Sequence, residues 1–346
     1  MNHFDNSKIT KIAAHHVGNK NNDEGITYSK HLIQTNEKLS GILSSYFLTP
    51  FKSNEYFRFY HQTDLKLNEV YLHICDIFNN LDTLFEKSIH ISNYLYEQSI
   101  HPKIKSGELY TVFFKDCILD GELTDAIGLF KSENKDVFLK VHSEDGDFVF
   151  ETDQGININK LDKGCIIFNQ EKEKGFVISV VDHTNKNSEA LYWMNQFLQV
   201  KQREDEYFYT QNVLSIYSQF VKEELPQQFE INKADQVDLI QRSVEYFKEK
   251  DQFDMASFAE EVITQPEIIE SFNQYKEDFS QEKDIQIAET FNISESAVKK
   301  QSKTFKSIIK LDKNFHIYVH GDRSLIQSGN DSDGRKFYKL YFQEEN

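Results

Sequence analysis

The sequence predicts an α+β protein: N-terminal helices with an antiparallel β-meander, then a helical segment ending in a small antiparallel β-meander. Two observations place the first part. Apolar residues recur three or four positions apart over 35–48, 67–85 and 88–99, the stripe of amphipathic helices. Six short apolar-rich runs separated by polar turns then fill 108–182, the pattern of strands. A third observation places the rest: helical periodicity from about 186 to 298, followed by strand-like runs over 304–342.

In chain order, Val70, Ile74, Phe78, Leu81 and Phe85 form the stripe of the 67–85 helix, and Ser88 opens the next one. The meander reads LYTVFF, DAIGLFK, DVFLKV, DFVFET, CIIFN and FVISVV, with turns at Asp120-Gly121 and Glu144-Asp145-Gly146. The helical block holds SEALYWMNQFLQV and long runs at 209–225 and 233–250. Pro226 marks a helix stop, and shorter pieces come after Pro266. TFKSIIKL, NFHIYVH, SLIQS and KFYKLYF complete the chain, with turns at Asp312-Lys313-Asn314 and Gly329-Asn330-Asp331. The charged KQRED interrupts two helical patterns near 200–208, dividing the chain into 1–200 and 201–346.

Composition bounds the class. A chain of 346 residues, 39% apolar with 29 Phe and 17 Tyr, supports a sizeable core and excludes general disorder. Thirteen Gly and four Pro exclude collagen-like and linker-like chains. No apolar run reaches a membrane span, and the first twenty residues have no apolar signal region, so the expectation is a soluble cytoplasmic protein with no membrane partner. Cys75, Cys117 and Cys165 are odd in number and far apart in apolar contexts. They read as core thiols, not a disulfide framework or a zinc site.

Charge is sorted along the chain. The formal net charge is −17, but its distribution is uneven. Residues 1–200 carry 20 basic and 28 acidic side chains, and residues 201–298 carry 9 and 22. Residues 299–346 reverse the balance with 10 basic and 6 acidic, a net of +4. An acidic protein thus ends in a basic module, and a local patch speaks to binding where average charge speaks to steering. The candidate phosphate contacts are Lys299, Lys300, Lys303, Lys306, Lys310, Lys313, Arg323, Arg335 and Lys336. On strands, Lys306, Lys310, His316, Tyr318 and His320 alternate with Phe305, Ile309, Leu311, Phe315, Ile317 and Val319, leaving a Lys/His/Tyr face suited to a nucleic-acid backbone. The plainer alternative is a solvated outer face.

Residues 285–301 also match helix-turn-helix spacing. Ala288 takes the tight contact, Asn292 the turn, Ile293 and Val298 the buried positions, and Ser294 the cap. Two ordinary short helices would read the same way, and the acidic 254–284 stretch opposes DNA. Glu133-x-Lys135, with Asp116 or Asp125 upstream, echoes metal-dependent nucleases, although SENK reads as a turn. His316 and His320 would stand roughly 13 Å apart at about 3.3 Å per residue, too far for one metal. No catalytic motif, metal site or cofactor fingerprint is present. HPKIKSGEL (101–109) reads as a helix-to-sheet junction or a surface for a partner or phosphate.

Several of these stretches together resemble the bacterial nucleoid-associated protein family of the 37-kDa class. They are NEVYLHICDIF (68–78), HPKIKSGELY (101–110), AIGLFKSE (126–133), GININKLDKGCIIFN (155–169), EALYW (189–193) and FKSIIKLDKNFHIYVHG (305–321). The resemblance spans most of the chain. It implies a cytoplasmic protein found with the chromosome, binding double-stranded DNA with little sequence preference, without catalytic or cofactor residues, and in some members working with type II topoisomerases. The expected function is therefore non-enzymatic nucleoid association through the basic C-terminal surface. The alternatives are an acidic adaptor reaching the nucleoid through a protein partner such as a topoisomerase and, less favoured, a metal-dependent nuclease. Homo-oligomerisation is left open by the sequence.

Overall fold

A computed structural model describes residues 4–184, 192–283, 285–303, 305, 308–318 and 325–344. The chain divides into two compact units, Met1–Arg203 and Glu204–Asn346.

The N-terminal unit is built on an eight-stranded antiparallel sheet. In chain order it comprises β1 (Lys8–Val17), β2 (Ile26–Tyr28), α1 (Glu37–Leu48), β3 (Phe57–Phe59), α2 (Glu69–Asn79) and α3 (Leu84–Gln98). Next come β4 (Gly107–Leu119), β5 (Glu122–Ser132), β6 (Asp136–Glu144), β7 (Asp147–Gly155), β8 (Lys163–Phe168), β9 (Val177–Asp182) and β10 (Val200–Gln202). The sheet order is β10-β3-β9-β8-β5-β4-β1-β2, while β6 and β7, among the described residues, pair only with each other.

Both faces of the sheet are covered, which is why β5 and β8 read as nearly continuous apolar runs and not as alternation. On one face Leu109, Phe113, Ile127, Leu129, Cys165 and Ile167 meet Val70, Ile74, Ile91 and Leu95 of α2 and α3. On the other, Val112, Phe114, Ala126, Phe130 and Ile166 meet Tyr46 and Phe47 of α1 and Phe51 beyond it. A bulge in β4 between Phe114 and Cys117 contains Asp116 at φ +58°. The extra residue resets side-chain parity, so Cys117 and Leu119 return to the face of Phe114.

Helix boundaries differ from the sequence reading. The stripe from Val70 to Phe85 belongs to two helices, because Asn80 is extended and its side chain accepts from the Asp82 amide. The local bond competes with helix propagation there, and α3 starts at Leu84 instead of Ser88. The ten-residue β1 went unread, since its lysines and paired histidines mask the alternation that puts Ile12 and Ala13 on opposite faces.

The C-terminal unit contains α4 (Glu206–Gln219), α5 (Leu225–Gln228), α6 (Lys233–Glu249), β11 (Gln252–Asp254), α7 (Met255–Phe258), α8 (Pro266–Lys283), β12 (Thr290–Asn292) and α9 (Glu295–Ser302). It ends in β13 (Ile308–Leu311), β14 (Phe315–Tyr318), β15 (Ile326–Asn330) and β16 (Lys336–Leu340). Pro226 does not stop its helix: a π-turn over Phe220–Glu224 carries the chain through to Gln228, with Pro226 in the first turn of α5, where a missing N–H costs least. Pro266 opens a single helix of 18 residues where shorter pieces were expected, its fixed φ suiting the first helical position. An aromatic cluster of Tyr217, Phe220, Phe247, Phe253, Phe258 and Phe272 holds the helices together. Among the described residues the terminal antiparallel strands pair as two hairpins, β13–β14 and β15–β16. The second turn lies at Asp331–Gly334, with Gly334 at φ +77°.

Candidate nucleic-acid interface

Three of the candidate cations come from α9 and its C-cap, Lys303. Ser294 caps this helix by accepting from the Ala297 amide, and its own amide donates to Thr210 Oγ1 at 3.0 Å. Ala297 and Val298 are buried, which anchors one side and leaves Lys299, Lys300 and Lys303 exposed on the other. Lys299 and Lys300 lie in the last turn, where the helix dipole favours cations. The Lys300 ammonium also lies 5.6 Å from the centroid of the Tyr207 ring.

The first helix of the expected helix-turn-helix does not exist. Residues 285–288 are irregular, and Thr290–Asn292 is a strand paired with β11, Phe253 opposite Phe291. Those two rings stack 4.7 Å apart at their centroids. One buried aromatic between polar neighbours favours a strand over the expected turn, and the Asn292 side chain donates to Glu206 Oε1. A DNA-reading motif of that kind is therefore excluded; the lysines of α9 remain as surface cations.

The hairpin β13–β14 supplies Lys310 and Lys313. Register pairs Ile309 with Ile317 and Lys310 with His316, and Ile309 is buried against Ala234 of α6 with Leu311 and Ile317 half-buried beside it. Lys310 and His316 are thus on the outward face, as alternation predicts, whereas Phe315, expected inside, is exposed. The neighbouring recess, of about 230 Å³, is lined by Lys222, Lys233 and Lys310 among Gln236, Val237, Ile240, Phe305 and Ile308. Burial holds the Lys222 ammonium below the ordinary lysine value, opposed by Glu223, and its Nζ lies 5.4 Å from the Phe305 ring centroid. Lys233 donates to Gln236 at 2.8 Å.

Lys222 and Lys233 were missed from sequence because both lie in the most acidic stretch of the chain, where no local pattern marks them. The Arg335 guanidinium is engaged by Asp331 Oδ2 at 3.0 Å and Asp333 Oδ2 at 3.1 Å within its own turn. Lys313 and Lys336 are exposed at a turn and a strand start. Lys306, Arg323, Val319 and His320 lie outside the described residues.

The nuclease arrangement fails on geometry. Glu133 lies just past the end of β5, eight residues from Asp125, or about 26 Å of extended strand. Asp116 is at that far end too, 3.9 Å from Lys8. The Glu133 carboxylate is buried against Lys131 Nζ at 3.1 Å and Lys163 Nζ at 3.7 Å, while Lys135 pairs with Glu108 at 2.9 Å. Among the described residues, no group of three or more His, Cys, Asp or Glu side chains could hold a metal ion. The HPKIKSGEL stretch is the expected junction. Asn19 donates to the carbonyls of His101 and Ile104, and Lys103 and Lys105 line a recess of about 290 Å³ with Glu133, Asn134, Lys160, His183 and Thr184.

Residues 14–334 match the family described as nucleoid-associated protein YejK. The chain belongs to that family. The match spans both compact units, so nucleoid association is a property of the chain's family as a whole and not of one borrowed module. No curated protein matches the chain significantly. Among the described residues, no helix is long and apolar enough to cross a membrane.

Proposed function

We propose that this nucleoid-associated protein holds double-stranded DNA directly, in the cytoplasm, by its phosphate backbone and with little sequence preference, through cations of the C-terminal unit. The contacts are Lys299 and Lys300 on α9, Lys303 at its C-cap, Lys310 and Lys313 on the first hairpin, and Lys336 on the second. Lys222 and Lys233 join them from the helices. The observation that carries the reading is the recess where Lys222, Lys233 and Lys310 come from three elements to one place. Like charges gather at a cost unless an anion compensates them, and phosphate is the anion a nucleoid offers in excess. Lysine acts as a point charge without reading base edges, which suits backbone binding. The acidic remainder of the chain keeps the attachment confined to this surface.

Counterion release sets the test. Log K for a random duplex should fall linearly with log[salt], by about 0.9 per phosphate neutralised. Changing Lys299, Lys300 and Lys303 to Ala should flatten that slope by roughly 2–3, and the triple Lys222→Ala, Lys233→Ala, Lys310→Ala should do the same, with far-UV circular dichroism unchanged. Unaltered slopes would reject these contacts. Absence of any complex at low salt would instead support the acidic-adaptor reading, with a topoisomerase or another nucleoid protein as the bridge.

A further inference from the structure

We propose that the ribbon formed by β6 and β7 is a dimerisation arm, its apolar face packed against the same face of a second copy of this chain. The register pairs Val137 with Gln154, Leu139 with Thr152, Val141 with Phe150 and Ser143 with Phe148, so these eight side chains share one face. Its apolar members are wet: Val137 is 65% exposed, Leu139 64%, Val141 53%, Phe148 75% and Phe150 67%. The opposite face is finished. Lys140 pairs with Asp153 at 2.6 Å and lies over the Phe138 ring, which itself crosses Gly155.

A two-stranded ribbon with neither face covered is marginal in water, and among the described residues β6 and β7 have no other strand partner. Contiguous exposed apolar surface of this kind marks an interaction site. Charge selects the occupant. None of the eight side chains on the face is ionisable, while Glu144, Asp147 and Glu151 stand on the other face and at the turn. A cationic partner would be drawn to those carboxylates. A second copy can meet the uncharged face without opposing any charge, and a two-fold axis near the Val141–Phe150 pair sets each patch against itself. The five apolar side chains expose on the order of 600 Å² per copy, since an aromatic alone buries about 150–250 Å². Two copies would cover roughly 1,200 Å², the lower bound of a specific interface.

The contact is apolar between two chains of net charge −17, so salt, by screening their long-range repulsion, strengthens it. DNA attachment responds to salt in the opposite sense, which separates failure of one proposal from failure of the other. Sedimentation equilibrium of the full chain should show a species of twice 40.7 kDa, more populated at high salt than at low. Phe148→Lys with Phe150→Lys should weaken dimerisation about 100-fold or more, as loss of central aromatic anchors does, with the thermal midpoint of the monomer unchanged because both rings are already solvated. Glu151→Gln on the other face should leave the dimer intact. Val141→Cys should form a disulfide-linked dimer under mild oxidation, and Lys140→Cys should not. A wild-type chain that stays monomeric at every salt concentration overturns the proposal, whether or not a foreign peptide can occupy the face. So does a dimer that survives both lysine substitutions.

Discussion

Removing the Glu133 carboxylate should be among the most damaging single changes in the N-terminal unit. Lys131 and Lys163 are among the largest fully buried side chains, and Glu133 is the carboxylate they share, with Nζ–O distances of 3.1 Å and 3.7 Å. Lys131 meets Oε1 and Lys163 meets Oε2, and Tyr192 OH donates to Oε1 at 2.9 Å. Among the described residues, Lys131 has only neutral hydrogen-bond acceptors besides, the Lys105 carbonyl at 2.7 Å and Tyr192 OH at 3.1 Å, whereas Lys163 keeps Asp182 at 2.9 Å. Glu133→Ala therefore strands one buried ammonium without a counter-ion, a loss of about 3–5 kcal/mol. Glu133→Gln retains an acceptor for Tyr192 and should fall at the lower end. Lys135→Ala, which breaks the more exposed pair with Glu108, should cost less than about 1 kcal/mol. Urea unfolding followed by the fluorescence of Trp193, buried in this unit, measures all three. Burial already holds the Lys131 ammonium below the ordinary lysine value, against the pull of Glu133. Without Glu133 its folded-state pKa drops further, so the unfolded chain binds more protons. The deficit should then shrink as pH rises from 7 to 9. A loss under about 1 kcal/mol for both Glu133 variants, or a deficit that grows with pH, would refute the view that this carboxylate neutralises the buried lysines.

Alkali should destabilise the protein. Burial pushes the Tyr46 hydroxyl and the Cys117 thiol each up to about 12, and raises Tyr71, Tyr110, Tyr192, Tyr217 and Cys165 in the same direction. Raised groups stabilise fully below their unfolded values, about 8.5 for Cys and 10 for Tyr, and that contribution is lost as pH climbs through the folded ones. The urea midpoint under reducing conditions should therefore fall steadily from about pH 9; a flat profile to pH 11 would show these groups exposed. Gly107 sits where an added Cβ would meet the Ser132 carbonyl oxygen at 1.8 Å, so Gly107→Ala should cost about 2–3 kcal/mol or more by forcing β4 from β5. Gly41→Ala, with open space around it in α1, should instead stabilise by about 0.5–1 kcal/mol. Thermal melts of the pair check the contrast, and equal shifts would contradict it.

Much of the architecture is encoded in local signals. Four of the six strands from β4 to β9 (β4, β5, β8 and β9) stand out in the sequence because both sheet faces are buried, so their apolar runs contrast with polar turns such as Asp120-Gly121. In contrast, β6 and β7 are short apolar runs in an exposed ribbon around Asp145-Gly146. Cys75, Cys117 and Cys165 are free thiols, the last two buried, as their apolar contexts implied. Elements that depend on a distant partner were illegible. Thr290–Asn292 became a strand because Phe253 waits opposite Phe291, and β1 is defined by pairing with β4, 90 or more residues away.

The same division holds for the candidate sites. Sequence alone determined the sorting of charge, the composition of the basic end and the alternation that turns Lys310 outward beside Ile309, since these are sums and periods along the chain. Only tertiary structure decided which charges act together. Lys222 and Lys233 meet Lys310 although acidic residues surround them in sequence, Arg335 is claimed by Asp331 and Asp333, and Glu133 is enclosed between two lysines. Coulomb interactions depend on distance and dielectric, and burial, which sets both, is a property of the packed elements and not of their order in the chain.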